Sequence, residues 1–180
     1  MRYGPTILAL GLTLGYVSCA THYAARAPEG ERSAFLVHQN IRPGMTVLEL
    51  VQTVVNLRRV NQPATLAFSG GCEPSTDIVL HGGEVIARAG RTRVYAGGYA
   101  SIQTYSTKDK SLSSHGFARP GPLLEAVSRD AERLGRCASV LVSLSATAEG
   151  GCGDETIAVT LDQTGKVASV GPVHGTDCQR

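Results

Sequence analysis

The five cysteines are the side chains of this chain with the clearest covalent chemistry. They are Cys19, Cys72, Cys137, Cys152 and Cys178. Cys19 lies in an N-terminal processing region described below, which leaves four thiols for the folded part. An even number of cysteines in an exported protein predicts disulfide bonds. Four cysteines allow three pairings. We favour Cys137 with Cys152, because the two flank one strand-and-loop segment, and the other pairings stay open.

A metal site is the competing use of the same thiols. Cys137, Cys152, His174 and Cys178 supply the three sulfurs and one imidazole of a tetrahedral zinc site. However, no Cys-x-x-Cys pair supports such a site, and thiols outside the cytoplasm usually oxidise. We therefore expect disulfides, with no metal and no cofactor.

The residues that could carry acid-base or nucleophilic catalysis are scattered along the chain. No Gly-x-Ser-x-Gly turn and no phosphate-binding glycine motif occurs in the sequence. Asp154, Glu155 and Asp162 lie beside the turns of the second hairpin. Hydrogen bonds from the local backbone to their carboxylates account for acidic residues at these positions. We expect a protein without catalytic residues. The histidines are His22, His38, His81, His115 and His174.

The N-terminus has the pattern of an export signal. Arg2 precedes an uncharged run that ends in small residues, and its apolar centre is too short to span a bilayer. Tyr16-Val17-Ser18-Cys19 is similar to a lipobox, so residues 1–18 are predicted to be a signal peptide and Cys19 the lipidated residue. Residues 19–33 lack periodicity and are predicted to be a tether. Cleavage after Ala20, giving a soluble exported protein, is the alternative.

Composition limits the partners of the folded part. The chain has 180 residues, 42% apolar content and a formal net charge of +2, with acidic and basic residues interspersed. This length suits one ordinary domain or two small units sharing a core. Without a basic stripe, nucleic acid is not an expected partner.

Two amphipathic helices and several short strands predict an α+β fold with antiparallel sheet. Thr46 and Glu49 form a capping box at the start of a helix over 46–58, and a second helix runs from Pro122 to Leu134. Alternating apolar residues predict hairpins over 77–87 and 157–170, the second turning at 162–165. A further alternating stretch covers 93–107, with a bend at Gly97-Gly98.

The two Gly-Gly-Cys sequences suggest that one α-β-β unit occurs twice. Each follows a predicted helix and strand and precedes a hairpin. The units are predicted at 34–107 and 121–180, joined by a polar loop over 108–120. The alternative is one joint domain over 64–175, a hairpin, a helix and a hairpin, with the helix at 46–58 as an appendage.

Two stretches resemble the SmpA/BamE family of small outer-membrane lipoproteins. They are Gly44-Met45-Thr46 with the helix that follows, and Asp162-Gln163-Thr164-Gly165-Lys166-Val167. The tandem layout is also similar to β-lactamase-inhibitor-type domains. The resemblance implies α-β-β units that bind another protein during envelope assembly. The chain lacks the Gly-x-Pro that usually closes the family's helix.

These observations together favour a non-catalytic envelope protein that mediates protein–protein interaction. Ala20, rather than Asp, follows Cys19, so the lipid anchor is expected in the outer membrane, facing the periplasm. The exposed face of the sheet or the segment 108–120 is the expected contact surface. A secreted ligand-binding module or enzyme with a site between the two units is the rival hypothesis, and a pocket lined by His81, His115 or His174 would favour it.

Overall fold

The computed structural model describes residues 33–58, 62–81, 85–89, 92–95, 98–145 and 154–175. The predicted signal peptide at 1–18, and the tether except for Ser33, lie outside the described residues. The described part contains three helices and nine strands. The helices are α1 (Ser33–Asn40), α2 (Val47–Leu57) and α3 (Pro120–Leu134).

The strands lie in two groups along the chain. Six strands separate α2 from α3, and three strands follow α3. The strands are β1 (Ala64–Ser69), β2 (Ser75–Leu80), β3 (Val85–Ala89), β4 (Thr92–Tyr95), β5 (Ala100–Ser106), β6 (Ser111–Phe117), β7 (Ser139–Ser145), β8 (Asp154–Leu161) and β9 (Val167–Gly175).

Seven strands form one antiparallel sheet in the order β6-β5-β2-β1-β7-β8-β9. β1 and β7 pair at its centre, with Leu66 opposite Val142. β3 and β4 pair with each other in a separate two-stranded sheet. The α+β class predicted from the sequence is confirmed, in a sheet larger than two isolated α-β-β units would give.

The helices start and end where local sequence chemistry places them. The Thr46 hydroxyl accepts a hydrogen bond from the Glu49 amide at 3.3 Å, and the Glu49 carboxylate accepts one from the Thr46 amide at 2.8 Å. This reciprocal pair is the predicted capping box. Helix α3 ends at Leu134, as predicted, with Gly135 as its C-cap, but it begins at Pro120, two residues before the predicted start.

One face of the sheet packs against the helices to form the core. Alternate residues of each central strand are buried there, together with Leu50 and Val54 of α2 and Leu123 and Val127 of α3. Because successive strand residues point to opposite faces, the other residues of the same strands form a second face. The core is aliphatic, with Phe68 as its largest fully buried side chain.

The first predicted hairpin, over 77–87, is wrong. β2 lies between β1 and β5, with Asp77 opposite both Ala67 and Gln103, so neither of its edges is free to pair with β3. The stretch over 93–107 is divided between β4 and β5, with Gly98, at the predicted bend, lying between them. The second hairpin is confirmed, since Leu161 lies opposite Val167 across the 162–165 turn.

The predicted loop over 108–120 is also wrong. Residues 111–117 form β6, which pairs with β5 over its whole length, from Ser106 opposite Ser111 to Ala100 opposite Phe117. Only residues 107–110 form the turn. The segment was predicted to be a loop because its composition is polar and rich in serine, but the hydrogen bonds of a strand come from the backbone and do not require apolar side chains.

The two predicted α-β-β units are joined in one sheet. β1 and β7 hydrogen-bond at the middle of a single sheet, and α2 contacts α3. The helix at 46–58 is therefore part of the core and not an appendage, because Val47, Leu50, Val51 and Val54 are buried. Helix α1 was not predicted from the sequence, although Ala34, Val37 and Ile41 recur at helical spacing and are buried. Helix α1 begins at Ser33, the last residue of the predicted tether.

Candidate functional site

A disulfide bond joins Cys72 to Cys137, with a Cα–Cα distance of 4.6 Å. Cys72 follows β1 and Cys137 precedes β7, and pairing of these two strands brings the cysteines together. Gly70 and Gly71 lead into Cys72 with φ of +78° and +80°, a backbone region that favours glycine. The first Gly-Gly-Cys sequence therefore places a cysteine beside its partner, next to a hydrogen bond from the Ala138 amide to the Gly70 carbonyl.

The favoured pairing of Cys137 with Cys152 is wrong, because Cys137 is already bonded to Cys72. The prediction favoured two cysteines that flank one short segment. The bonded cysteines instead lie 65 residues apart in the sequence, and only the sheet brings them together. Cys19, Cys152 and Cys178 lie outside the described residues. A bond between Cys152 and Cys178 stays a prediction.

The same bond removes Cys137 from the hypothetical zinc set, since a disulfide sulfur is not a thiolate ligand. His174 lies on β9 and is exposed. Within the part of the chain that the structure describes, no group of three or more His, Cys, Asp or Glu residues is placed to hold a metal ion.

The histidines are not brought to one place. His115 lies on β6 and His174 on β9, the two opposite edges of the seven-stranded sheet. Six strand spacings of about 4.8 Å separate these edges, roughly 29 Å. His38 lies on α1 and His81 follows β2, while His22 is outside the described residues. A pocket lined by both His115 and His174 is therefore incompatible with the sheet order.

A buried guanidinium fixes the end of α2 to the sheet. Arg58 is buried, and its Nη1 donates to the Gln62 carbonyl at 2.6 Å. The Arg58 guanidinium carbon lies 5.1 Å from the centre of the Tyr99 ring, within the range of a cation–π contact. Tyr99 is itself buried at this contact.

Arg133 connects α3 to the loop that follows the disulfide. Its Nε donates to the Asp130 carboxylate at 2.9 Å, its Nη1 to the Pro74 carbonyl at 2.9 Å, and its Nη2 to the Thr76 hydroxyl at 3.0 Å. Asp130 and Arg133 also form an ion pair one helical turn apart. These contacts stabilise the same end of the sheet as the disulfide.

The turns before the two edge strands are built alike. Before β6, the Asp109 carboxylate accepts from the Ser111 amide at 3.1 Å and its hydroxyl at 2.7 Å. Before β9, the Asp162 carboxylate accepts from the Thr164 amide at 2.8 Å and its hydroxyl at 2.7 Å. These bonds, those from the hydroxyls above all, lower the pKa of both aspartates below the usual value. Asp162 thus has the structural role expected from the sequence.

The remaining perturbed carboxylates are also explained by nearby contacts. Partial burial raises the pKa of Asp77 on β2. For Glu73, burial acts to raise the pKa, but hydrogen bonds from Ser106 and Thr107 outweigh it and lower the pKa. The Thr46 amide lowers the pKa of Glu49. Asp154 and Glu155 lie on β8, so Asp154 begins a strand, whereas a turn was expected there from the sequence.

The outer edge of β6 is the most open part of the described chain. Ser111 to Gly116 are six consecutive exposed residues, and β6 ends the strand order. Leu112 is 69% exposed, and Tyr105, opposite it on β5, is 44% exposed. No charged residue and no proline lies within β6. Such an edge presents unpaired backbone amides and carbonyls to another strand.

The sheet face opposite the helices is the second open surface. Leu141 at the centre of this face, on β7, is 45% exposed. Its neighbours on β1, β7 and β8 are mostly small and hydroxylated, and they are exposed or half-buried: Thr65, Ala67, Ser69, Ser139, Ser143, Thr156, Ala158 and Thr160. The two surfaces expected to contact a partner, the exposed face and the segment 108–120, are thus both accessible.

The two stretches that carry the family resemblance lie side by side. The Gly44 amide donates to the Val167 carbonyl at 2.7 Å, and the Val167 amide donates to the Met45 carbonyl at 2.8 Å. Thr46 and Lys166 form an isolated β-bridge. The start of α2 is therefore bound to the β8–β9 hairpin.

Comparisons with protein families, with curated proteins and with solved structures found no match to this chain. The SmpA/BamE resemblance consequently stays a prediction. None of the described helices is long and apolar enough to cross a membrane. The disulfide is compatible with a protein that is exported to an oxidising compartment.

Proposed function

We propose that this chain is a non-catalytic envelope protein, anchored by a lipid on Cys19, that works by binding another protein. The observation that carries the binding role is the uncovered edge of β6 beside the exposed pair Tyr105 and Leu112. Proteins usually protect long strand edges with charges, prolines or bulges, because open edges recruit other strands. An edge that lacks these features supports a surface used for pairing.

Export and anchoring are supported by separate observations. The lipobox-like Tyr16-Val17-Ser18-Cys19 sequence supports lipidation of Cys19, and the Cys72–Cys137 bond is compatible with an oxidising compartment. If Cys19 carries the lipid, the residues up to Ser33 provide a tether between the membrane surface and the folded body. Ala20 after Cys19 supports outer-membrane sorting where the cell has two membranes.

Mass spectrometry of the mature N-terminus tests the anchor. We expect a peptide beginning at Cys19 with a mass increase from attached acyl chains, and its loss in a Cys19→Ala variant. A Ser18→Ala variant, which keeps a small residue before the cysteine, is the matched control and should still be lipidated. An unmodified N-terminus at Thr21 would instead indicate cleavage after Ala20 and a soluble secreted protein.

Site-specific photo-crosslinking tests the binding role. A photoreactive residue placed at position 112 should capture a protein in intact cells, whereas one at exposed Asn40 on α1 should not. Absence of any cross-linked species at position 112, with the chain folded and its disulfide formed, would remove the support for a binding role.

A further inference from the structure

We propose that the partner of the β6 edge is a second copy of this chain, bound antiparallel through β6 to β6 about a two-fold axis at Ser114. This inference rests on the proposed binding function and identifies the partner. The product would be a symmetric dimer in which two seven-stranded sheets become one continuous sheet. Two-fold pairing of identical strands satisfies the backbone groups of both edges at once.

The side-chain sizes of β6 fit one another in this register. Centring the pairing on Ser114 places Leu112 opposite Gly116 of the second copy, Ser113 opposite His115, and Ser111 opposite Phe117. Each large side chain then faces a small one. A Cβ added at Gly116 would meet no atom within 4 Å, so space for the Leu112 side chain of the second copy is open. A large apolar residue beside a strand glycine is a stabilising cross-strand pair.

One pair of opposite charges at the ends of the strand also fits this register, whereas Lys108 and Lys110, which flank Asp109, fall opposite Pro120 and Ala118. The same register brings Asp109, in the turn before β6, opposite Arg119, which follows β6, and the two-fold axis repeats the contact. Both residues are exposed. Ser111 holds one oxygen of the Asp109 carboxylate by two hydrogen bonds, which orients the group at the tip of the hairpin. The sequence of β6 itself contributes no charge that would oppose pairing.

The other edge of the sheet, β9, lacks the features that make β6 suitable for pairing. β9 contains Gly171-Pro172, and its register against β8 shifts between Ile157 and Val159 and again between Thr160 and Leu161. Proline removes an amide donor and bulges bend the strand, so this edge is a poor template for pairing. Self-association through β6 is therefore expected to stop at a dimer and not to extend into a filament.

Disulfide trapping in the full-length chain tests the register. Residues directly opposite in an antiparallel pair have Cα atoms about 4.5–5.5 Å apart, which a disulfide can bridge. A Ser114→Cys variant should therefore give a covalent dimer on a non-reducing gel, above any background from the unmodified chain. Ser169→Cys on exposed β9 is the matched control: its two copies would lie at the two far ends of the joined sheet, so no added dimer is expected.

Substitutions that keep every cysteine provide the independent measurement. Ser114→Lys places two like charges opposite each other and should convert the dimer to a monomer in sedimentation, whereas Ser169→Lys on exposed β9 should leave the dimer intact. Asp109→Arg alone should weaken association by about tenfold, and adding Arg119→Asp should restore it. Far-ultraviolet circular dichroism shows whether each variant is folded.

The outcomes separate this inference from the proposed function. A monomeric folded chain, or a dimer that persists in Ser114→Lys, would overturn the β6 dimer. If Ser114→Cys were cross-linked in cells only to a different protein, the dimer would be refuted while the binding role survived. If the N-terminal peptide lacked the lipid but the Ser114→Cys dimer formed, only the anchor would fail.

Discussion

The two edges of the sheet begin in the same way and end differently. Asp109 and Asp162 each accept hydrogen bonds from the residue two positions on, in the turns before β6 and β9. Beyond its turn, however, β9 is tied to the start of α2 through Val167, and α1 contacts both β8 and β9. Among the described residues, β6 pairs with β5 and contacts α3 but has no strand on its other side. The two turns are therefore alike, but the β9 edge contributes to the fold whereas the β6 edge is available for a partner.

The disulfide lies between these edges, beside the central β1–β7 pair, and its loss is expected to have the largest effect. Replacing both Cys72 and Cys137 by alanine should lower the free energy of unfolding by about 4 kcal/mol, because the bond closes a loop of 65 residues in the unfolded chain. Urea denaturation measures this. The Ser114→Cys cross-link should persist in that background, and its loss would show that the β6 edge depends on the bond.

Two matched glycine substitutions should differ by the next-largest effect on stability. Gly165 has φ of +76°, and a Cβ there would lie 2.8 Å from the Gly135 Cα, so Gly165→Ala should destabilise the chain by about 3 kcal/mol. Gly116→Ala on β6 meets open space and should change stability by less than about 0.5 kcal/mol. Urea midpoints compare the two. Equal losses would show that the β6 edge is as constrained as the β8–β9 turn.

Alanine substitutions of one apolar residue at each edge should distinguish an effect on stability from an effect on association. Val167 is buried, and Val167→Ala should cost about 2 kcal/mol of unfolding free energy. Leu112→Ala should cost less than about 0.5 kcal/mol but weaken the dimer, because the exposed leucine is proposed to pack on Gly116 of the second copy. Thermal unfolding and sedimentation measure the two effects. The interpretation fails if Leu112→Ala destabilises the monomer as much as Val167→Ala.

Acid titration should give the smallest effect. Because hydrogen bonds lower the pKa of Asp109 and Asp162 in the fold, both contribute stability above the usual aspartate pKa of about 3.9, and this is lost as pH falls through the folded value. Asp109→Asn and Asp162→Asn should each reduce stability slightly at pH 7 and flatten its decline towards pH 3. Only Asp109→Asn should also weaken the dimer; a matching effect of Asp162→Asn would contradict the proposed contact with Arg119.

The accuracy of the sequence predictions follows the range of the interactions involved. The α2 capping box and the turn at 162–165 were predictable, because each is determined by residues within five positions of one another. The disulfide was not, because Cys72 and Cys137 meet only after β1 pairs with β7. Likewise, the place of β2 between β1 and β5 depends on a strand that starts twenty residues after β2 ends.

The sequence predicted which segment would contain the candidate site but not that this segment forms an edge strand. Residues 108–120 were predicted to be a polar loop and a possible contact surface, yet no alternation of buried and exposed residues predicted β6. Ser111 to Gly116 are exposed on both faces of the strand, so their sequence has no reason to alternate, and only Phe117 enters the core. The signal that could have revealed it is the match in length with the alternating stretch over 100–106, across a short turn containing Asp109.

The Cys72–Cys137 bond also determines what a protease could do to this molecule. A single backbone cut anywhere from residue 73 to residue 136 would leave two pieces that stay covalently joined. The nicked chain would migrate as one species until a reductant was added, and its central strands would keep their partners. In a compartment that contains proteases, such a chain would stay covalently joined after backbone cleavage within the β3–β4 pair.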